Sequence, residues 1–278
     1  MEYLLREDAP FGEELWEKID EVVIRKAKEQ LIGRKFIPIY GPLGPGVQNI
    51  NIDLINANKD ATISSNGEEE IELVAVKNRK YVEIPMVFKD FFISWRDLEN
   101  SKKTGLPLDL APVAITAAAC AHKEDHIIFF GDEDWGYKGL MNVDGRQIFK
   151  KDNWNEGENA FIDIAKGLEK LVRKDFYGPY VLVVSPDLYV QLQKVQPGTG
   201  KIEIERIREL IDGKIYQTPV LGYNKAVLLQ KGMENMDIVI GQDLVTAYIG
   251  PEKLNHVFRM LETIILRIKR PESIVIFE

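Results

Sequence analysis

The chain has 278 residues, 45% hydrophobic and 29% charged; that is enough to bury a full core in one large domain or two interleaved ones, and it excludes a disordered chain. With 36 Lys and Arg against 44 Asp and Glu, the net charge is −8, so no bulk positive field draws the protein to nucleic acid or anionic lipid, and neither is an expected partner. Cys120 is the only cysteine, which rules out an intrachain disulfide. With no signal-peptide pattern and no apolar run near the roughly 20 residues of a membrane span, a cytoplasmic, membrane-free location is expected.

The first element is an amphipathic helix. From Glu13 to Leu31, Trp16, Ile19, Val23, Ala27 and Leu31 recur at three- and four-residue steps, acids crowd the first turns and bases the later ones. Gly33 stands where a left-handed cap belongs. The loop that follows, "GRKFIPIYGPLGPG", is rich in Gly and Pro, but Gly41, Gly44 and Gly46 are followed by neither Lys nor Ser/Thr nor a helix. It reads as a rigid turn rather than a phosphate cradle.

"QNINIDLI" and "EEIELVAVKNRKYVEIP" then alternate apolar and polar residues, with Ile71, Leu73 and Ala75 in the second run, around a polar, turn-forming stretch. They predict a long two-stranded arm from Val47 to Ile84. A lone ribbon of this kind is marginal in water, and its open edges invite pairing with another chain. After a strand and a short helical turn in "VFKDFFISWRDLENSKKTG", a long helix is predicted from Asp109 to Phe130. Its alanines 117–119 and 121 allow a close backbone approach, and Cys120 is expected to pack in the core.

From Trp154 to Gln217 the pattern becomes α/β. A helical stripe (Phe161, Ile164, Ala165, Leu168, Leu171, Val172) is followed by the buried strand "YVLVV". Ser185-Pro186-Asp187 reads as a helix start, and a second helix, "IEIERIRELI", stops at Gly213. Strands return in "KAVLLQ", "MDIVIG", "VFRMLETIILRIKR" and "SIVIF".

Catalytic chemistry finds few candidates. His122 and His126 lie four apart on the long helix, but the zincin order H-E-x-x-H is absent and no third ligand can be named, so no metal site is expected. No G-x-S-x-G exists. "GDEDWG" lacks calcium-loop spacing and reads as a solvated turn. Trp95, Trp135 and Trp154 read as core aromatics, with a stacked flavin left open as the only cofactor. No catalytic residue is assigned and the protein is not expected to be an enzyme.

The segments "REDAPFGEELWEKIDE", "QLIGRKFIPIYGPLGPG", "VFKDFFISWRDLE", "EDHIIFFGD", "KGLMNVDGR", "YGPYVLVVSPDLY" and "GQDLVTAYIG…NHVFRMLETIILRIKRP" resemble the encapsulin shell proteins, also called the linocin or bacteriocin-type family, over essentially the whole length. The resemblance implies an α+β fold of the tailed-phage major capsid (Hong Kong 97) type. Residues 1–46 would form the N-terminal helix and turn of a peripheral domain, 47–82 the extended arm, 83–138 the peripheral domain with its spine helix, 139–234 the axial domain and 235–278 the closing peripheral strands. The arm would pair with neighbouring subunits in a closed icosahedral shell of sixty copies or a multiple of sixty.

By the same resemblance the shell encloses cargo, ferritin-like iron-storage enzymes before dye-decolourising peroxidases, held through a C-terminal targeting peptide. The peptide would dock in a groove formed by Ile24, Ala27, Leu31 and Arg34 on the helix side and Asp243, Leu244 and Tyr248 on the other, with Arg34 meeting a peptide carboxylate or carbonyl. Some members carry Asp where this chain has Pro38, so a second polar contact is not carried over. Gln196, Pro197, Gly198, Thr199 and Gly200 would line a pore at the fivefold vertex. Two alternatives remain at this point: a secreted bacteriocin or protease, as older family labels have it, and a phage capsid protein that packages DNA.

Overall fold

The computed structural model describes residues 2–55, 61, 63–66, 74–196 and 200–278. Its elements, in chain order, are α1 (Glu13–Gln30), β1 (Ile39–Tyr40), β2 (Asn49–Ile55), β3 (Val76–Glu83), β4 (Met86–Ile93), α2 (Trp95–Thr104), α3 (Ala111–Phe130), β5 (Gly131–Asp132), β6 (Tyr137–Lys138), β7 (Gln147–Phe149), α4 (Asn159–Val172), β8 (Tyr180–Val184), α5 (Pro186–Gln191), α6 (Glu203–Ile211), β9 (Lys214–Gln217), β10 (Ala226–Gln230), β11 (Met236–Ile240), β12 (Val245–Glu252), β13 (Asn255–Ile268) and β14 (Ile274–Phe277).

One sheet is organised around the long strand β13. Its first half is flanked by β12 and β4, both antiparallel, and its second half pairs with β11, which β1 extends in parallel. The inward residues Val87, Phe91, Phe258 and Met260 pack with Trp16, Ile19 and Val23 of α1 and with Val113, Ala117 and Cys120 of α3. The other side of β4 is open: Met86, Phe88 and Phe92 are each more than half exposed, an apolar stripe of the kind that marks an interaction surface.

The second sheet runs β7-β14-β10-β8-β9, with β7 and β9 parallel to their neighbours. Both of its faces are covered, so "YVLVV" and "AVLLQ" read as near-continuous apolar runs. Leu182, Val184, Leu228, Val275 and Phe277 face α4, α5 and α6, while Val181, Val183, Val227, Leu229 and Ile276 face the core shared with α3. The closing strand β14 therefore leaves the 235–278 segment's other strands and completes this second sheet. Gly213 follows Asp212, which takes the left-handed cap of α6 at φ 44°. A Cβ on Gly213 would lie 1.9 Å from Tyr180 O, so Gly213→Ala is expected to cost roughly 1–3 kcal/mol through displaced backbone, read as a lower thermal midpoint.

The arm is the ribbon β2–β3, in antiparallel register from Asn49 opposite Glu83 to Leu54 opposite Asn78, with an irregularity before Ile55 opposite Val76. Its base is pinned by Ile50, Ile84, Tyr137, Val239 and Ile265 and by Arg267 Nη1 donating to Asn51 O at 3.3 Å. Further out it carries the Asp53–Arg79 pair at 2.7 Å; Ile71 and Leu73, read as part of its second strand, lie outside the described residues.

Two local expectations are corrected, and a third is refined. Gly33 is not a left-handed cap: α1 ends at an extended Leu31, and Gly33 is small because a Cβ there would meet Ile128 Cδ1 at 2.5 Å. The helix start at Ser185-Pro186-Asp187 is where it was expected, with Ser185 at the N-cap position of α5, although its side chain makes no cap hydrogen bond; Ser185 Oγ accepts from Lys225 N at 3.3 Å. Of the tryptophans, Trp154 is buried, but Trp95 and Trp135 are 43% and 58% exposed.

Candidate binding groove

Along α1 the residues Val23, Ile24, Ala27, Lys28 and Leu31 form one wall of a cleft of about 460 Å³; Arg34, Lys35 and Ile39 continue it, and Asp243 and Leu244, on the turn between β11 and β12, close it. Its floor is a small apolar cluster of Ala27, Leu31, Ala121 and Leu244. Ala121 on α3 lets α1 sit close, which is what the alanine-rich run predicted. Ile24 and Ile39 remain 53% and 44% exposed, so the cleft offers aliphatic surface that the subunit itself does not cover. Six of the seven expected groove residues meet here: Ile24, Ala27, Leu31, Arg34, Asp243 and Leu244. Tyr248 does not. It points into the core, 6% exposed, packs on Phe258 with centroids 5.2 Å apart and shares a 2.9 Å hydrogen bond with His256 Nδ1.

Behind the groove Arg34 is committed to three carboxylates. Its Nε and Nη2 donate to Glu124 Oε1 and Oε2, both at 2.7 Å, Nη2 also to Glu262 Oε2 at 3.0 Å, and Nη1 to Asp243 Oδ1 at 2.8 Å. Glu124 and Glu262 are buried at 0% and 1% exposure. Two carboxylates held this deep on one guanidinium cannot both stay charged cheaply. Burial, then the charge of Glu124, pushes the Glu262 carboxyl well above the usual range, against the pull of Arg34. Next to them Asp125 accepts the backbone N–H groups of Ile32 and Gly33, both at 2.9 Å. Burial raises its pKa to about 6 although those two hydrogen bonds oppose the shift. Asp125 thus ties the exit of α1 to α3, and Arg34 ties it to α3, β13 and the Asp243 turn.

Sequence reasoning missed Glu124, Asp125 and Glu262. A signal existed for the last: a lone glutamate in the apolar run "RMLETIIL" of a central strand requires a buried cationic or protonated partner.

The expected pore loop is anchored at its base. Gln196 is buried within the subunit, with Nε2 donating to Gly157 O at 3.0 Å, so its side chain holds the base of the loop. Gln196 N donates to Lys201 O at 3.0 Å, and Gly200 takes φ +69°. Lys194 Nζ reaches Trp154 O at 2.7 Å and the buried Glu203 at 2.9 Å. Pro197, Gly198 and Thr199 lie outside the described residues.

A sequence profile for the family described as "Encapsulating protein for peroxidase" matches residues 1–265. A type 1 encapsulin shell protein from Myxococcus xanthus is 39% identical over 277 residues, covering 100% of this chain and 96% of the relative. The chain belongs to the encapsulin shell protein family. A diheme-cytochrome-encapsulin shell fusion protein from Kuenenia stuttgartiensis is 38% identical over 96% of this chain and 73% of the relative. The virus-like particle from Pyrococcus furiosus superimposes with a TM-score of 0.78 at 23% identity, over 96% of this chain and 100% of that one. The capsid of Myoviridae phage XM1 gives a TM-score of 0.66 at 13% identity, over 87% and 88%. The α+β fold is thus the encapsulin version of the tailed-phage capsid fold. No helix among the described residues is long and apolar enough to cross a membrane.

Proposed function

We propose that this encapsulin shell protein is a non-enzymatic, cytoplasmic building block that closes into an icosahedral particle of sixty copies or a multiple of sixty, and that the groove beside α1 captures a cargo protein through a C-terminal peptide. The observation that carries the reading is the groove itself: exposed Ile24 and Ile39 over a floor of Ala27, Leu31 and Leu244, open on a chain of whole-length encapsulin character. A short peptide with aliphatic side chains is what such a surface buries. Self-association is supported by the open stripe of Met86, Phe88 and Phe92 and by a protruding ribbon whose two strands pair only with each other among the described residues, leaving edges for other copies to cover. Ferritin-like iron-storage cargo is favoured because a Pyrococcus furiosus relative, 26% identical over 74% of this chain, is a ferritin-like-encapsulin shell fusion protein. The net charge of −8 disfavours packaged nucleic acid.

Purification from the native host followed by negative-stain microscopy and mass spectrometry of the contents tests the reading; a monomer, or a particle that holds only DNA, would refute it. Within the groove, Ile24→Asp adds a charge at an exposed position and leaves the core alone. It is expected to lower cargo retention by at least about tenfold, as for loss of an interface anchor, in particles of unchanged size.

A further inference from the structure

The spine helix α3 is buried along the face that carries Val113, Ala117, Cys120, Glu124 and Ile128, and its opposite face is open. On that open face His122 and His126 are both exposed. They are one turn apart, so their Cβ atoms lie about 5–6 Å from each other and both side chains lean toward the helix N-terminus. The His126 ring is held against Phe130, one turn further on, with centroids 5.5 Å apart. Lys123, between them in sequence, is a cation that opposes a bound metal, but its Nζ is paired with Asp132 at 3.0 Å, which neutralises most of that field.

We propose that His122 and His126 form a two-point chelating site for a divalent transition-metal ion on the solvent face of α3. Two imidazoles spaced i, i+4 on one helix face are the arrangement that zinc enzymes use for two of their ligands. Among the described residues no group of three or more His, Cys, Asp and Glu converges here or elsewhere. Water therefore completes the coordination, and the site is open rather than structural. The ligand set also fixes the metal class: imidazole suits zinc, nickel and copper, whereas magnesium and calcium need clustered oxygen donors. The sequence spacing argues against a closed three-residue site; exposure of both rings on one face is what argues for this open one. The site is independent of the cargo groove and does not rest on that reading.

Zinc titration of the full-length assembled protein, followed by calorimetry in a non-chelating buffer, tests the site. One saturable zinc per chain is expected in the parent and in His256→Ala, whose imidazole is engaged by Tyr248 on the sheet. His122→Ala and His126→Ala should each bind at least about tenfold more weakly, because losing even an outer-shell partner of a metal ligand costs roughly that much. Both changes fall at exposed helical positions where alanine is favourable, and light scattering reports whether the particles persist. Magnesium should produce no saturable binding. Absence of a zinc site in the parent, or a site that survives both histidine substitutions unchanged, would overturn the assignment.

Discussion

Replacing Arg34 with alanine is expected to destabilise the subunit by about 3–5 kcal/mol, the cost of stranding buried charge, before any effect on cargo is read. Among the described residues its guanidinium is the cation paired with both Glu124 and Glu262, which are 0% and 1% exposed. Folded domains hold only about 5–15 kcal/mol in total, so a loss of this size should appear as low soluble yield and a thermal midpoint many degrees lower. Arg34→Lys keeps the charge but not the two-pronged fit to Glu124, and an intermediate loss follows. The double variant Arg34→Ala with Glu262→Gln removes one stranded carboxylate and should recover part of the loss, a coupling that a double-mutant cycle reads directly. Intact particles with an unchanged midpoint in Arg34→Ala would show that the three carboxylates do not depend on it. In that case Arg34 belongs to the peptide site, as the resemblance implied.

Arg34 also shows where reading the sequence stops. Its place beside Leu31 and Ala27 follows from one amphipathic helix, and the helix stripe was legible because its period is local. The partners that consume its hydrogen-bonding capacity stand 90 and 228 residues away, and nothing local in "EDH" or "MLETII" pairs them. Tyr248 was misassigned for a related reason. β12 is not among the strands read from the sequence, since Gly250 and Pro251 break its pattern and its register shifts between Tyr248 and Gly250. Without the strand, the inward direction of Tyr248 had no basis. Gly33 failed in a subtler way: a glycine after a helix is most often a conformational choice, but here it serves close packing, since any Cβ would displace the Ile128 side chain. The two covered sheet faces and the arm were legible because burial on both faces, and alternation with none, leave opposite sequence patterns.

The junction that Arg34 holds should also weaken as the pH rises. Asp125 has its pKa raised from 3.8 to about 6 in the folded chain, so between those values the folded state binds more protons than the unfolded one, and stability falls as pH rises. The associated stabilisation is fully present below about pH 4 and has gone above about pH 6. A shift of that size corresponds to roughly 3 kcal/mol. Glu262 is raised well above 4.5 and extends the same trend to higher pH, because losing its proton sets a second charge beside Glu124 with one guanidinium to serve both. The groups facing it are Arg34, Glu124 and Asp243, with Cys120, itself pushed up to about 12 by burial and by Glu262, on α3. The charge of Lys89 on β4 acts on Cys120 in the opposite sense, and Lys35 acts on Asp125. Glu262→Gln places a permanent neutral group where the proton is held. Denaturant midpoints measured from pH 5 to pH 9 should therefore decline in the parent and decline less steeply in Glu262→Gln, with the two curves converging at the acid end. Parallel curves would mean that Glu262 does not change its protonation between pH 5 and pH 9, and the decline would then have to come from other groups.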